Sequence, residues 1–326
     1  MAKTEPHYFF VTSYGRTATV WLTSALNLHT QVACSHSGSF EPITVQEGEK
    51  QDAESVIRSQ QLSAEICAKS LGDITQYMNT QTKPPVPSGA LRRWLHTLSS
   101  IGKRKHKEEE CWVGNVHAFT AWNLEQKRKE DPTAPPYRTV NLLRHPITRI
   151  DSFWRRWAYE GTFEGPTARW IMHESLKSER YQQVLQEVRT KHDLPMESYS
   201  DRAFFHAVMQ MSTDHGDRGV DVPHIVSERL VADIDYFAYV LRLLMGESFP
   251  LHSAYLRSVQ ELGKQNAAAG GGKSAIQAYE EWKPWQRTHY QIMMRDHEEL
   301  RTWYPVLGYD ILFAGFPAPQ ATLAIN

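Results

Sequence analysis

The chain has 326 residues, 41% of them hydrophobic, and balances 36 Lys and Arg against 37 Asp and Glu for a formal charge of −1. That length suits one large α/β domain with inserted helices, and the balance excludes a global pull toward nucleic acid or an anionic membrane, so anion recognition must be local. Cys34, Cys67 and Cys111 are widely spaced and show no metal-ligand pattern; they read as reduced thiols, and no metal site is expected. The amino terminus lacks a signal-peptide apolar region, and no run of about 20 apolar residues is present. A cytoplasmic protein without a membrane anchor is the expectation.

In chain order, His7 to Ser13 (HYFFVTS) is rich in aromatic and β-branched residues and reads as a buried strand. The turn-prone YGR follows, and Thr19 to His29 then places Trp21, Leu22, Ala25, Leu26 and Leu28 at spacings that suit one helix face. Three further apolar runs, Ala64 to Ser70, Cys111 to Val116 and Arg138 to Leu143, each precede a helix-like pattern. A fifth, Asp221 to Ser227, leads into the long amphipathic segment LVADIDYFAYVLRLLMG, and Thr167 to Thr213 reads as nearly all helix. Strands alternating with helices predict an α/β fold: a three-layer sandwich around a central parallel sheet of about five strands, with P-loop-like topology and helical insertions.

The whole chain, 1–326, reads as one domain with two excursions. The Pro-rich stretch Asn79 to Gly89 and the charge run Gly102 to Glu110 flank a helix-like piece around Trp94, so residues 79–110 read as an inserted flap. AAAGGGKS, Ala267 to Ser274, follows no strand and has Ala267 where a nucleotide loop needs its leading glycine, so it reads as a flexible loop.

Two strand-to-helix junctions carry the chemistry. Unpaired N–H groups and the helix dipole at the start of the first helix favour an anion, and Tyr14, Gly15, Arg16, Thr17, Ala18, Thr19 and Val20 line the approach. Gly15 allows an unusual backbone angle, Arg16 brings a fixed charge, and Thr17 and Thr19 bring hydroxyls. The pattern GxxxxGK[ST] is absent, which disfavours an ordinary nucleoside-triphosphate loop; taken alone, the stretch also fits a polar turn with Thr17 as helix cap. At the second junction, Arg144 ends a strand, Pro146 opens a helix and Ser152 follows eight residues after the arginine, so guanidinium and hydroxyl can serve one anion. A salt-bridged Arg and a packed Ser are the plainer alternative.

At these residues the sequence resembles the sulfotransferases that use 3′-phosphoadenosine 5′-phosphosulfate. RTATVWL is similar to their 5′-phosphosulfate loop, Lys/Arg-Ser-Gly-Thr-Thr-Trp, and LLRHPITRIDSFWRRW to their 3′-phosphate motif, Arg-Asn-Pro with a Ser eight residues after the Arg. IVSERLVADIDYFAYVLRLLMG resembles their Tyr-Glu-Asp-Leu segment, and EEWKPWQR with LGYD the end of their cofactor lid and closing Leu-Gly-Tyr. Ala18 stands where the family has glycine, and Val20 where it has threonine.

The resemblance implies transfer of a sulfuryl group from that donor to a hydroxyl, or less readily an amine, of a small-molecule acceptor such as a secondary metabolite. The product nucleotide would be 3′-phosphoadenosine 5′-phosphate. Residues 14–20 would wrap the 5′-phosphosulfate, Arg144 and Ser152 would hold the 3′-phosphate, and a mobile lid over 265–287 would bring Lys273 or Arg287 toward it. Arg16 fits the stabilisation of the transferring group. His117, at the end of a central strand, is the first choice of general base, and Glu41 the alternative. Lys69 could also face the donor; nothing separates His36 from a surface residue. Trp282 and Trp285 line the site or belong to the core. No nucleic-acid or membrane partner is expected, and a homodimer is left open. The competing readings are a kinase-like phosphotransferase and a non-catalytic, nucleotide-binding relative of the sulfotransferases.

Overall fold

The structure is a computed structural model that describes residues 7–13, 17–36, 112–116, 120–130, 132–159, 179–194, 198–262, 273–311 and 314. Tyr14, Gly15, Arg16, Glu41, Lys69, His117, Cys67, Cys111, the strand read at 64–70, the flap over 79–110 and the lid up to residue 272 lie outside the described residues. Contacts divide the chain into two units, Met1–Leu143 with Asp221–Asn266, and Arg144–Val220 with Ala267–Asn326.

The first unit holds one all-parallel sheet: β1 (His7–Thr12), β2 (Val32–His36), β3 (Trp112–Val116), β4 (Tyr137–Leu143) and β5 (His224–Val226), ordered β2-β3-β1-β4-β5. The α/β class is thus observed, with β1 central. Helices α1 (Thr19–Asn27) and α2 (Ala121–Glu130) fall between strands in the chain. Three more follow β5: α7 (Ser227–Ala232), α8 (Ile234–Met245) and α9 (Ser253–Glu261).

Strand side chains alternate between faces, and on one face Phe9, Val11, Val32, Cys34, Trp112, Val116, Val140, Leu142 and Ile225 join Trp21, Leu22 and Leu26 of α1 and Phe237, Leu241 and Leu244 of α8 in one core. Cys34 is a buried free thiol whose pKa burial drives upward. Gly114 shares this face because the Phe9 ring occupies the place of its missing side chain: a Cβ there would meet Phe9 Cε2 at 2.3 Å.

The sequence reading missed β2. VACSH is short and ends in two polar residues, but pairing with β3 in register from Val32↔Trp112 to His36↔Val116 holds it extended. On its other edge the Asn27 side chain acts as a substitute strand, donating to Cys34 O and accepting from Cys34 N–H, both at 2.8 Å. The long amphipathic segment after β5 divides into two helices. Asp233 leaves the helical region (φ −122°, ψ 106°) and its Oδ1 accepts the N–H groups of Asp235 and Tyr236 at 3.0 Å each, a side-chain cap that starts α8 afresh.

The second unit is helical in its described residues: α3 (Pro146–Tyr159), α4 (Glu179–Lys191), α5 (Tyr199–Met209), α6 (Met211–Arg218), α10 (Ala275–Glu281), α11 (Pro284–Asp296) and α12 (Glu298–Val306). Within Thr167 to Thr213, residues from Glu179 onward are largely helical, as expected. Trp282 and Trp285 are core residues, edge-on to Phe204 at 5.0 and 5.5 Å between ring centroids. A buried Arg149–Asp214 ion pair is completed by Tyr304, whose hydroxyl donates to Asp214 Oδ2 at 2.6 Å. Desolvation of both charges offsets much of the attraction in such a pair, so it adds little net stability.

Two buried histidines in this unit oppose charge. His289 stacks on Phe205 at 3.8 Å between centroids, and neither ring nitrogen has a hydrogen-bond partner among the described residues. Burial pushes its pKa down to about 3, and that of His206 down to about 4. Both are neutral in the folded state, so their contribution is intact above the unfolded value near 6.5 and is lost as pH falls from there toward the folded values. Stability should drop by about 1.4 kcal/mol per pH unit for each histidine between roughly pH 6 and pH 4. Urea unfolding at stepped pH measures the slope, and His289→Phe should flatten it. In the first unit, Gly114→Ala should destabilise by about 1–3 kcal/mol, since the Phe9 ring must leave its place; an unchanged urea midpoint would refute that packing.

Candidate functional site

The first cluster of predicted residues sits where β1 ends, in the first unit. Parallel pairing buries β1 from Phe9 onward, and polar groups enter only at Thr12 and Ser13. Ser13 is hydrogen-bonded through its hydroxyl to that of Thr17, and both residues are buried. Thr17 therefore closes the loop on itself and does not cap α1. The N-cap is Ala18, with φ 61° and ψ 25°, and no side chain caps the helix there. Among the described residues Ala18 is the one non-glycine with positive φ. Its carbonyl accepts the first helical bond, from Leu22 N–H at 3.0 Å. The amides of Thr19, Val20 and Trp21 thus have no acceptor within α1, and its first turn carries no acidic side chain.

Thr19 is buried and its Oγ1 lies 2.9 Å from Nε2 of His36, the last residue of β2. His36 is half-buried, not a surface residue; what hid it from sequence reasoning was the unrecognised strand that carries it. Val20 is half-buried on the first turn of α1 and brings no hydroxyl.

A second feature absent from the sequence reading lies on the sheet face opposite α1 and α8. Thr12, Asn141 and His224 are in register across β1, β4 and β5. Thr12 Oγ1 donates to Asn141 Oδ1 at 3.0 Å, and Asn141 Nδ2 donates to His224 Nδ1 at 3.3 Å. This row fixes the carboxyl ends of β1 and β4, the two strands from which the two motifs leave. In open α/β sheets ligands bind beyond the carboxyl ends of the strands.

A second cluster of predicted residues lies in the second unit, at the start of α3. His145 Nδ1 accepts Ile147 N–H at 3.3 Å, and its Nε2 donates to Asp310 O at 2.7 Å, which fixes the start of α3. Pro146 takes the first helical position, where no N–H is needed. Arg144 Nε donates to Thr148 Oγ1 at 3.2 Å, and that hydroxyl donates to His145 O at 3.1 Å. Thr148 and Ser152 are one turn apart, so Arg144, Thr148 and Ser152 follow one face of α3. Thr148 is the member that sequence reasoning missed; its spacing of four from both partners was the available signal.

Lys273 and Arg287, expected in a lid, are engaged locally among the described residues. Lys273 forms an ion pair with Glu281, which also receives Arg155 Nη2 at 2.9 Å, and Arg155 Nε reaches Asp151 Oδ2 at 2.7 Å. Lys273, ahead of Arg155, holds the Glu281 carboxyl below its usual pKa. Arg287 donates to the carbonyls of Tyr279 and Glu280 at 3.1 and 2.6 Å, closing the end of α10.

The backbone at Ala18 gives a test of sign. A left-handed alanine costs about 1–2 kcal/mol, while glycine in place of alanine costs about 0.5–1 kcal/mol of chain entropy. Ala18→Gly should therefore be neutral to stabilising by about 1 kcal/mol, and Ala18→Val should destabilise by more than about 2 kcal/mol. Urea unfolding of the two variants decides it: a loss of stability in Ala18→Gly would mean that residue 18 is not left-handed. In comparisons with known proteins, neither protein-family models nor curated proteins gave a match to this chain.

Proposed function

We propose that the protein is a sulfotransferase using 3′-phosphoadenosine 5′-phosphosulfate, with a small molecule bearing a hydroxyl, or less readily an amine, as acceptor. One observation carries the reading. Ala18 occupies the glycine position of the resembling motif and adopts the left-handed backbone that a glycine is used for, leaving the first amides of α1 uncapped. That arrangement fits a phosphosulfate. The strand order β2-β3-β1-β4-β5, with the motif at the end of central β1, supports a P-loop-like, three-layer arrangement.

On this reading the amides of Thr19, Val20 and Trp21 and the Thr19 hydroxyl bind the 5′-phosphosulfate together with Tyr14, Gly15 and Arg16. Arg144, Thr148 and Ser152 bind the 3′-phosphate through guanidinium and hydroxyl groups. When bound, the donor supplies a sulfuryl group whose bond to phosphate oxygen breaks as a bond to the acceptor oxygen forms. Arg16 stabilises charge on the transferring group, and His117 takes the acceptor proton, with Glu41 as the alternative base. Backbone amides compensate for the hydroxyl that Val20 lacks. The missing Gly-Lys-Ser/Thr pattern weighs against a kinase-like enzyme.

Calorimetry with the sulfated donor and with ATP separates the readings: tight ATP binding without donor binding would sink this one. Transfer of labelled sulfate to a panel of acceptors separates an enzyme from a silent nucleotide binder. Arg144→Ala should weaken donor binding by about 10- to 100-fold, the value of a charge-assisted hydrogen bond. His117→Ala should leave donor affinity in place and lower turnover by about 100-fold or more. Unchanged turnover in that variant would move the base to Glu41 or elsewhere.

A further inference from the structure

Within the second unit, two imidazoles and a carboxylate meet where three helices come together. His215 is on α6, His297 occupies the single-residue break between α11 and α12, and Glu299 is in the first turn of α12. Their ligand atoms all lie within 4.8 Å of one another. His215 Nδ1 contacts Glu299 Oε1, and His297 Nδ1 is 4.0 Å from the same oxygen. The two imidazole centroids are 5.0 Å apart. Two imidazoles bound to one tetrahedral zinc at about 2.0–2.1 Å place their ring centroids roughly 5 Å apart, so the rings already stand at the separation a shared ion requires.

The electrostatics point the same way. Glu299 Oε1 is shielded from solvent, whereas the His215 side chain is 46% exposed, which leaves an entry side and a buried anionic end. The neighbouring charges are Arg180, which is paired with Asp296, and Arg218, which faces Glu299. Both imidazoles face the same Glu299 oxygen, and a divalent cation would serve all three donors at once. Two imidazole nitrogens and one carboxylate oxygen suit zinc, nickel or cobalt better than magnesium or calcium.

We infer that His215, His297 and Glu299 form a binding site for a first-row divalent transition ion, zinc being the natural probe, with the remaining coordination open to water. An ion there would tie α6 to the α11–α12 junction. The site is independent of the proposed sulfuryl transfer, which calls for no metal.

The test uses the full chain without a histidine tag, stripped of metal. Zinc titrated by calorimetry should bind at one ion per chain and raise the thermal midpoint, and cobalt should give visible absorption bands from a low-symmetry nitrogen–oxygen site. His215→Ala, which alters an exposed side chain, and the near-isosteric Glu299→Gln should each weaken zinc binding by at least about 10-fold. Far-UV circular dichroism and the metal-free thermal midpoint confirm that each variant is folded. Absence of saturable zinc binding by the wild-type chain overturns the inference, as does unchanged affinity in both variants.

Discussion

A parallel strand paired on both edges and buried on both faces must deliver its polar chemistry at its ends, and β1 is such a strand. Between β3 and β4 it contributes Phe9, Phe10 and Val11 to the interior, and its first polar groups in that interior are Thr12 and Ser13 at the carboxyl end. The Phe9 ring lies across Gly114, so the packing of the central pair fixes how closely β3 approaches. Chain direction does the rest: α1 must begin within a few residues of Ser13, and Ala18 makes the reversal by turning left-handed. The clustering of polar groups at the carboxyl end of β1 is a consequence of how the sheet is buried.

The legible part of the fold is the part set by local pattern. HYFFVT, RTVNLL and the α1 face announce themselves through aromatic and β-branched runs and helical spacing. What escaped depends on partners distant in sequence. β2 is extended because β3 and the Asn27 amide hold its two edges, and no property of VACSH alone reports either. The break at Asp233, by contrast, is encoded locally, by an aspartate ahead of two amides it can accept from.

The candidate site shows the same division. Ala18 was marked out by the resemblance, as the residue standing where the family has glycine, and its φ of 61° is left-handed. Thr148 and Asn141 escaped because each acts on another side chain and not through a motif of its own: Thr148 bonds the Arg144 guanidinium, and Asn141 links Thr12 to His224. The trio of His215, His297 and Glu299 was equally hidden, since its members become neighbours only when α6 packs by α12.

If the proposed anion binds at the start of α1, the direction of the Thr19 hydroxyl proton matters, and a residue outside the motif sets it. If His36 carries its proton on Nε2, Thr19 Oγ1 accepts that hydrogen bond and its own proton remains available to a ligand oxygen. If Nε2 is bare, Thr19 donates to His36, and the first turn of α1 is left with its amides alone. Since Val20 has no hydroxyl to substitute, the tautomer of one half-buried histidine on β2 determines whether the first turn of α1 presents a side-chain donor in addition to its backbone.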